Sequence, residues 1–137
     1  MKVAQIMNTD VFLTAPNRSI REAAETMQRM DVGSLPVGDG DRLIGMVTDR
    51  DIAIRAVAKG LNAETPVRDV MTQEIRYCFD DQDVDDVARN MADLQVRRLP
   101  VINRDKRLVG FVSLADFAHG ADNGATEELV RGVATPH

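Results

Sequence analysis

The sequence is poor in aromatics, cysteine, histidine and long apolar runs. Aromatic residues make up 4% of the 137 and there is no tryptophan, so a core has to be built from aliphatic side chains and the seven methionines, whose flexible thioethers fill irregular gaps. The single cysteine, Cys78, excludes an internal disulfide and reads as a small buried hydrophobe within the Ile75–Phe79 stretch. No run of 18 apolar residues offers a membrane span, and Lys2 is not followed by the apolar region of a secretory signal. A cytoplasmic (cytosolic) protein without membrane contact is expected. Positive charge is also short: 17 Lys and Arg against 22 Asp and Glu give a net charge of −5. That balance argues against a dedicated nucleic-acid binder, which needs a basic face, but leaves room for a local basic pocket. The two histidines, His119 and His137, have no neighbours at metal-ligand spacing.

What the sequence does have is an internal repeat. Val3–Asp41 aligns with Val67–Asp105 at an offset of 64, and the inserted Lys106 shifts the offset to 65 thereafter. Fourteen of the fifty pairs from Val3 to Ile52 are identical, including Met7/Met71, Met27/Met91, Val32/Val96, Leu35-Pro36-Val37/Leu99-Pro100-Val101, Gly45/Gly110 and Asp51/Asp116. An apolar content of 44% supports a packed core, and repeats of this length cannot bury both faces of a small sheet alone. The expectation is an α+β fold of tandem β-α-β-β-α repeats packed with pseudo-two-fold symmetry: repeat one over 1–60, a linker over 61–66, repeat two over 67–120 and a tail over 121–137.

Each repeat predicts the same elements. A strand comes first, Val11–Thr14 or Ile75–Phe79. A helix follows, capped by Ser19 with Glu22 three residues on, or by Asp83. Its core stripe is Ile20, Ala23, Ala24, Met27 and Met30, matched by Val84, Val87, Ala88, Met91 and Leu94. The Leu-Pro-Val segment reads as a strand at an edge or at its start, because proline cannot donate to a ladder. After a polar turn an apolar strand follows, Leu43–Val47 or Leu108–Val112. A last helix begins at Thr48 or Ser113, the first copy ending at Gly60. The acidic group Asp80, Asp81, Asp83, Asp85 and Asp86 lacks calcium-loop spacing and reads as charge favoured at a helix start. Glu127–Val130 could add one helical turn.

The stretch Gly45-Met46-Val47-Thr48-Asp49-Arg50-Asp51, echoed by Gly110-Phe111-Val112-Ser113-Leu114-Ala115-Asp116, supports two readings. As Thr/Ser-x-x-Asp each copy is a capping box that only ties down backbone donors. As a site, each stands at the carboxyl end of a strand, where a helix start attracts anions. The glycine would then permit close approach, the hydroxyl would donate to a phosphate or sugar oxygen, and the aspartate would accept from two ribose hydroxyls. Both readings stay open on the residues alone.

These motifs, occurring twice in register over residues 1–120, resemble a CBS (cystathionine-β-synthase) domain pair, or Bateman module, of the small stand-alone prokaryotic kind. The resemblance implies a regulatory module, not an enzyme, that binds adenine nucleotides or related adenosyl compounds in clefts between its domains. It places Asp51 and Asp116 at ribose, Thr48 and Ser113 at ribose or phosphate, and Met46 and Phe111 along the cleft. It sets Thr48 and Asp51 facing Ile75 and Arg76, and Ser113 and Asp116 facing Val11 and Phe12. AMP, ADP or ATP are the expected ligands, with S-adenosylmethionine and NADH as further candidates and no required cofactor or metal.

The repeats differ where charge matters. Arg97-Arg98 stand where repeat one has Gly33-Ser34, and Arg50 matches Ala115. Because arginine forks bind phosphate well, the expected sites are inequivalent, with Arg97 or Arg98 supplying most phosphate affinity. The expected partners are a second copy, as a homodimer formed through helices, and an unknown regulated protein. The competing readings are a structural adaptor with empty or non-nucleotide clefts, and a nucleotide hydrolase, for which no base or metal ligands stand out.

Overall fold

A computed structural model describes residues 1–113, 116 and 117. Its elements are α1 (Ile20–Met30), β1 (Ser34–Asp39), β2 (Arg42–Thr48), α2 (Asp49–Ile52), β3 (Cys78–Phe79), α3 (Val84–Leu94), β4 (Arg98–Ile102) and β5 (Leu108–Ser113). A π-helical turn, Ala53–Val57, continues α2, and short 3₁₀ turns occupy Val3–Gln5 and Val67–Asp69. This is the expected α+β class. The expected helical turn at Glu127–Val130, most of the helix after Ser113, Ala115 and both histidines lie outside the described residues.

The chain divides into two compact units that do not follow the repeats. One joins Met1–Val11 to the chain from Arg76 onward; the other is Phe12–Ile75. Each repeat therefore lends its leading segment to the sheet of the other. In the first unit Asn8 pairs with Phe111, and Val3, wholly buried, joins the core formed by Val84, Val87, Met91, Leu99, Val101 and Val112. In the second, Thr72 pairs with Met46, and Val67 and Val70 join Ile20, Ala23, Met27, Leu35, Val37 and Val47. The identities Val3/Val67 and Met7/Met71 thus mark a reciprocal exchange.

The same pairing explains the prolines. β1 pairs antiparallel with β2, setting Pro36 opposite Met46, and β4 pairs with β5, setting Pro100 opposite Phe111. Met46 spends both its N–H and its C=O on Thr72, and Phe111 spends both on Asn8. Those groups point away from the prolines, so the missing proline N–H leaves nothing unpaired on β2 or β5. Pro100 accordingly sits in the middle strand of the order β3-β4-β5, not at an edge.

Several local expectations are corrected. The strand at Val11–Thr14 shrinks to one bridge, Thr14 to Val37, because the next rung back, at the Phe12 carbonyl, would need an N–H that Pro36 lacks. The strand at Ile75–Phe79 shrinks to Cys78–Phe79, because the next rung back, at the Arg76 carbonyl, would need an N–H that Pro100 lacks. Asp83 holds the N-cap position of α3, but its carboxylate accepts from Lys2 Nζ at 3.1 Å and not from a helix N–H. Ala24, Met30 and Leu94 are exposed, whereas Met27 and Met91 are core. Gly60 does end its helix, with φ +77 and Leu61 N–H donating to the Ala56 carbonyl.

Candidate functional site

β2 delivers Thr48 to the start of α2, where the capping box forms in full. Asp51 N–H donates to Thr48 Oγ1 at 3.0 Å, and Thr48 N–H donates to Asp51 Oδ2 at 3.0 Å. The two neighbouring donors are also taken: Asp49 N–H by the Gly33 carbonyl at 2.9 Å, and Arg50 N–H by the Asp49 side chain at 2.8 Å. The helix start was expected to offer free N–H groups to an anion. In this copy those of residues 49, 50 and 51 are all paired, and Asp49 and Asp51 add negative charge to the first turn. What remains for a ligand is side-chain chemistry. The Asp51 side chain is 15% exposed and its Oδ1 lies 3.9 Å from Arg55 Nε.

β5 delivers Ser113 in the same way. Ser113 N–H donates to Asp116 Oδ2 at 2.8 Å, and Ser113 Oγ donates to the same oxygen at 3.1 Å. Opposite Ser113 on β4 stands Arg98, whereas opposite Thr48 on β1 stands Ser34. The charge difference read from the sequence thus lies directly across the ladder from the hydroxyl of each motif. The Arg98 guanidinium is half-buried over the Phe111 ring, 4.7 Å from its centroid, a favourable cation–π distance, and burial lowers its pKa from the ordinary value. Phe111 itself is 5% exposed.

The glycines take a different role from the one expected. A Cβ on Gly45 would lie 2.9 Å from the Thr72 carbonyl and 3.0 Å from Met71 Sδ; on Gly110 it would lie 2.7 Å from the Asn8 carbonyl and 2.9 Å from Met7 Sδ. The close approach is made by the exchanged segments of the chain itself, not by space kept for a ligand.

The expected site residues fall into two sets. Met46, Thr48, Arg50, Asp51 and Ile75 belong to the unit 12–75, as does Phe12; Val11, Arg76, Arg97, Arg98, Phe111, Ser113 and Asp116 belong to the other. Arg50, Arg76, Arg97 and Val11 are exposed, and Met46, Ile75 and Phe12 half-buried. Sequence reasoning missed Arg55, whose signal was its place four residues after Asp51. Arg55 Nη1 reaches the carbonyls of Val70 (3.1 Å) and Met71 (3.2 Å) and the Thr72 hydroxyl (3.3 Å).

Cys78 is buried, and that burial, aided by Asp80, pushes its thiol up to about 12, which keeps it protonated and unreactive. The acidic group is divided among structural tasks: Asp81 forms a double hydrogen bond with Arg104 at 2.8 Å, Asp83 binds Lys2, and Asp85 and Asp86 lie in the first turn of α3. Among the described residues no group of three or more His, Cys, Asp or Glu could hold a metal ion, and no helix is long and apolar enough to cross a membrane.

A family model described as CBS domain matches residues 3–57 and again 67–121. The CBS domain-containing protein YhcV of Bacillus subtilis is 41% identical over 85% of this chain and 82% of its own. Among solved structures, Hypoxic Response Protein I with two coordinated zinc ions is 36% identical at a TM-score of 0.76, covering 89% of this chain and all of that one. The CBS domain pair of MJ0100, in complex with 5′-methylthioadenosine and S-adenosyl-L-methionine, is 29% identical at a TM-score of 0.68, covering 86% and 93%. CBSX2 in complex with AMP is 26% identical at 0.72, covering 85% and 93%.

Proposed function

The chain belongs to the CBS domain family, and from that premise we propose that it is a regulatory module that binds an adenosyl compound at its duplicated hydroxyl–aspartate motifs and reports occupancy to a protein partner. The observation that carries the reading is the state of Asp51. One carboxylate oxygen caps α2, yet an ionised carboxylate accepts about four hydrogen bonds, and part of the side chain is open to solvent. The ligands held by MJ0100 and CBSX2 share an adenosine, whose ribose offers two adjacent hydroxyls to such a group. Thr48 and Ser113 assist at ribose or phosphate, beside Met46, Arg50 and Ile75 in one unit and Val11, Arg76, Arg97 and Phe111 in the other; Phe12 completes the set. Arg98, across the ladder from Ser113, gives the second motif its phosphate affinity. AMP, ADP and ATP are the first ligands to try, then S-adenosylmethionine and NADH. The module works as a homodimer in this proposal and catalyses no reaction.

Isothermal titration of each compound tests the reading on wild type, Asp51→Asn and Asp116→Asn. Asparagine keeps an oxygen for the cap but weakens acceptance from two hydroxyls. The expected result is a loss of about tenfold or more in affinity at the altered site, with little change in melting temperature. The capping box is also compatible with the adaptor reading, and failure of all five compounds to bind would overturn the adenosyl reading in its favour.

A further inference from the structure

We propose that Arg55 is the positioning residue of the first-repeat site, tying the Asp51 carboxylate to the segment that repeat two lends to this unit. The inference rests on the reading of Asp51 as a ligand-binding group. Three observations point to it. Arg55 Nη1 donates to two consecutive carbonyls, those of Val70 and Met71, and to the Thr72 hydroxyl, while its Nε lies 3.9 Å from Asp51 Oδ1. One guanidinium thus spans from the carboxylate to the lent segment, a geometry that its rigid fork allows and a lysine does not. Second, Arg55 lies within the π-helical turn Ala53–Val57, and such wide turns recur where a helix is shaped around a site. Third, the copy in the other unit is built without it. The residue aligned with Arg55 is Gly120. There the lent segment is closed locally: Asn8 Oδ1 accepts from Asp10 N–H at 2.9 Å.

The consequence is a second difference between the motifs. The copy with Arg98 carries charge, and the copy with Arg55 carries a brace. The brace orients Asp51 and fixes the chain at Val70–Thr72, three residues before Ile75, so both groups expected at the ligand depend on one side chain.

The repeat supplies an internal control. Met46 and Thr72 exchange two backbone hydrogen bonds, at 2.9 and 2.8 Å, and Phe111 and Asn8 exchange the matching two, also at 2.9 and 2.8 Å. Amide hydrogen exchange on Arg55→Met and Arg55→Lys should show Met46 and Thr72 exchanging at least tenfold faster in the methionine variant, with Asn8 and Phe111 unchanged. The lysine variant should fall between. Titration with AMP in an Asp116→Asn background, which leaves the Asp51 motif as the site read, should show affinity falling about tenfold for Arg55→Met and less for Arg55→Lys. Unchanged exchange at Met46 and Thr72 overturns the brace whether or not AMP binds. Faster exchange with unchanged AMP affinity overturns its role at the site. Wild type that binds no nucleotide defeats the functional reading and with it the site role, while the exchange data still decide whether Arg55 holds the segment.

Discussion

Single residues here are fixed by what the chain brings against them, and the glycines are the clearest case. Gly45 and Gly110 would each press a Cβ onto a carbonyl, at 2.9 and 2.7 Å, so alanine forces the lent segment outward. Overpacking of this kind costs roughly 1–3 kcal/mol. The contact at Gly110 is closer, and Met7 Cγ also lies 3.1 Å away. Gly110→Ala should therefore lose more stability in urea than Gly45→Ala, and the reverse order would show that the segments move freely. Asp81 gives a pH signature on the same scale. Its double hydrogen bond to Arg104 holds its pKa below the ordinary 3.8, so the stabilisation is present above that value and disappears as pH falls through the lowered one. Arg104 also lies 3.9 Å from the centre of the Phe79 ring, so Arg104→Met retains some of the apolar cover. The stability gap between wild type and Arg104→Met should narrow as pH drops below about 3.8; a gap constant from pH 7 to pH 2 would assign the effect to packing over Phe79 alone.

Among elements, α1 and α3 stop by one device. Val32 N–H reaches back to the Met27 carbonyl and Val96 N–H to that of Met91, with Asp31 (φ 55) and Gln95 (φ 57) in the left-handed conformation between them. This is the Schellman arrangement, and it recurs at matching positions of the two repeats. Left-handed geometry strains a side-chain-bearing residue by about 1–2 kcal/mol, and glutamine lacks the short polar side chain that eases it for aspartate. Gln95→Gly should stabilise the protein by about 0.5–1 kcal/mol after glycine's greater unfolded freedom is deducted; Asp31→Gly should give less. A fall in melting temperature for Gln95→Gly would contradict this. Helices and strands were legible in the sequence because their apolar periods and caps are local. The first strand of each repeat was not, since its length depends on which partner passes beside it. Nor was the true work of Gly45, since Thr72 is 27 positions away and nothing local announces its carbonyl. The Thr48–Asp51 box was legible as both cap and site; geometry establishes the cap, and the site is what the titration of Asp51→Asn tests.

For the whole molecule, the exchange of leading segments decides how damage spreads. The first eight residues belong by sequence to repeat one, but their bonds serve the other unit. Val3 N–H donates to the Gln82 carbonyl, Ala4 N–H to that of Asp80, and the Met1 carbonyl accepts from Val84 N–H at the start of α3. Val3 is wholly buried in that core. Removing residues 1–8 would strip a core side chain, leave Phe111 N–H and C=O without Asn8, and open the surface of Gly110. A chain that lacks them should lose amide protection in α3, β4 and β5 while β1, β2 and α1 keep most of theirs. Substitution of Val67 by alanine should do the opposite, because Val67 is buried against Ile20, Leu35 and Val47; a buried aliphatic truncation of this kind costs roughly 2–4 kcal/mol. If protection instead fell first in the repeat that carried the change, the units would follow the sequence repeats and the exchange would have no energetic meaning. If it crosses over as expected, each motif depends for its frame on residues of the other repeat, and a change at either leading segment reaches the opposite Thr/Ser–Asp pair through the backbone pairing and the buried side chains of that segment.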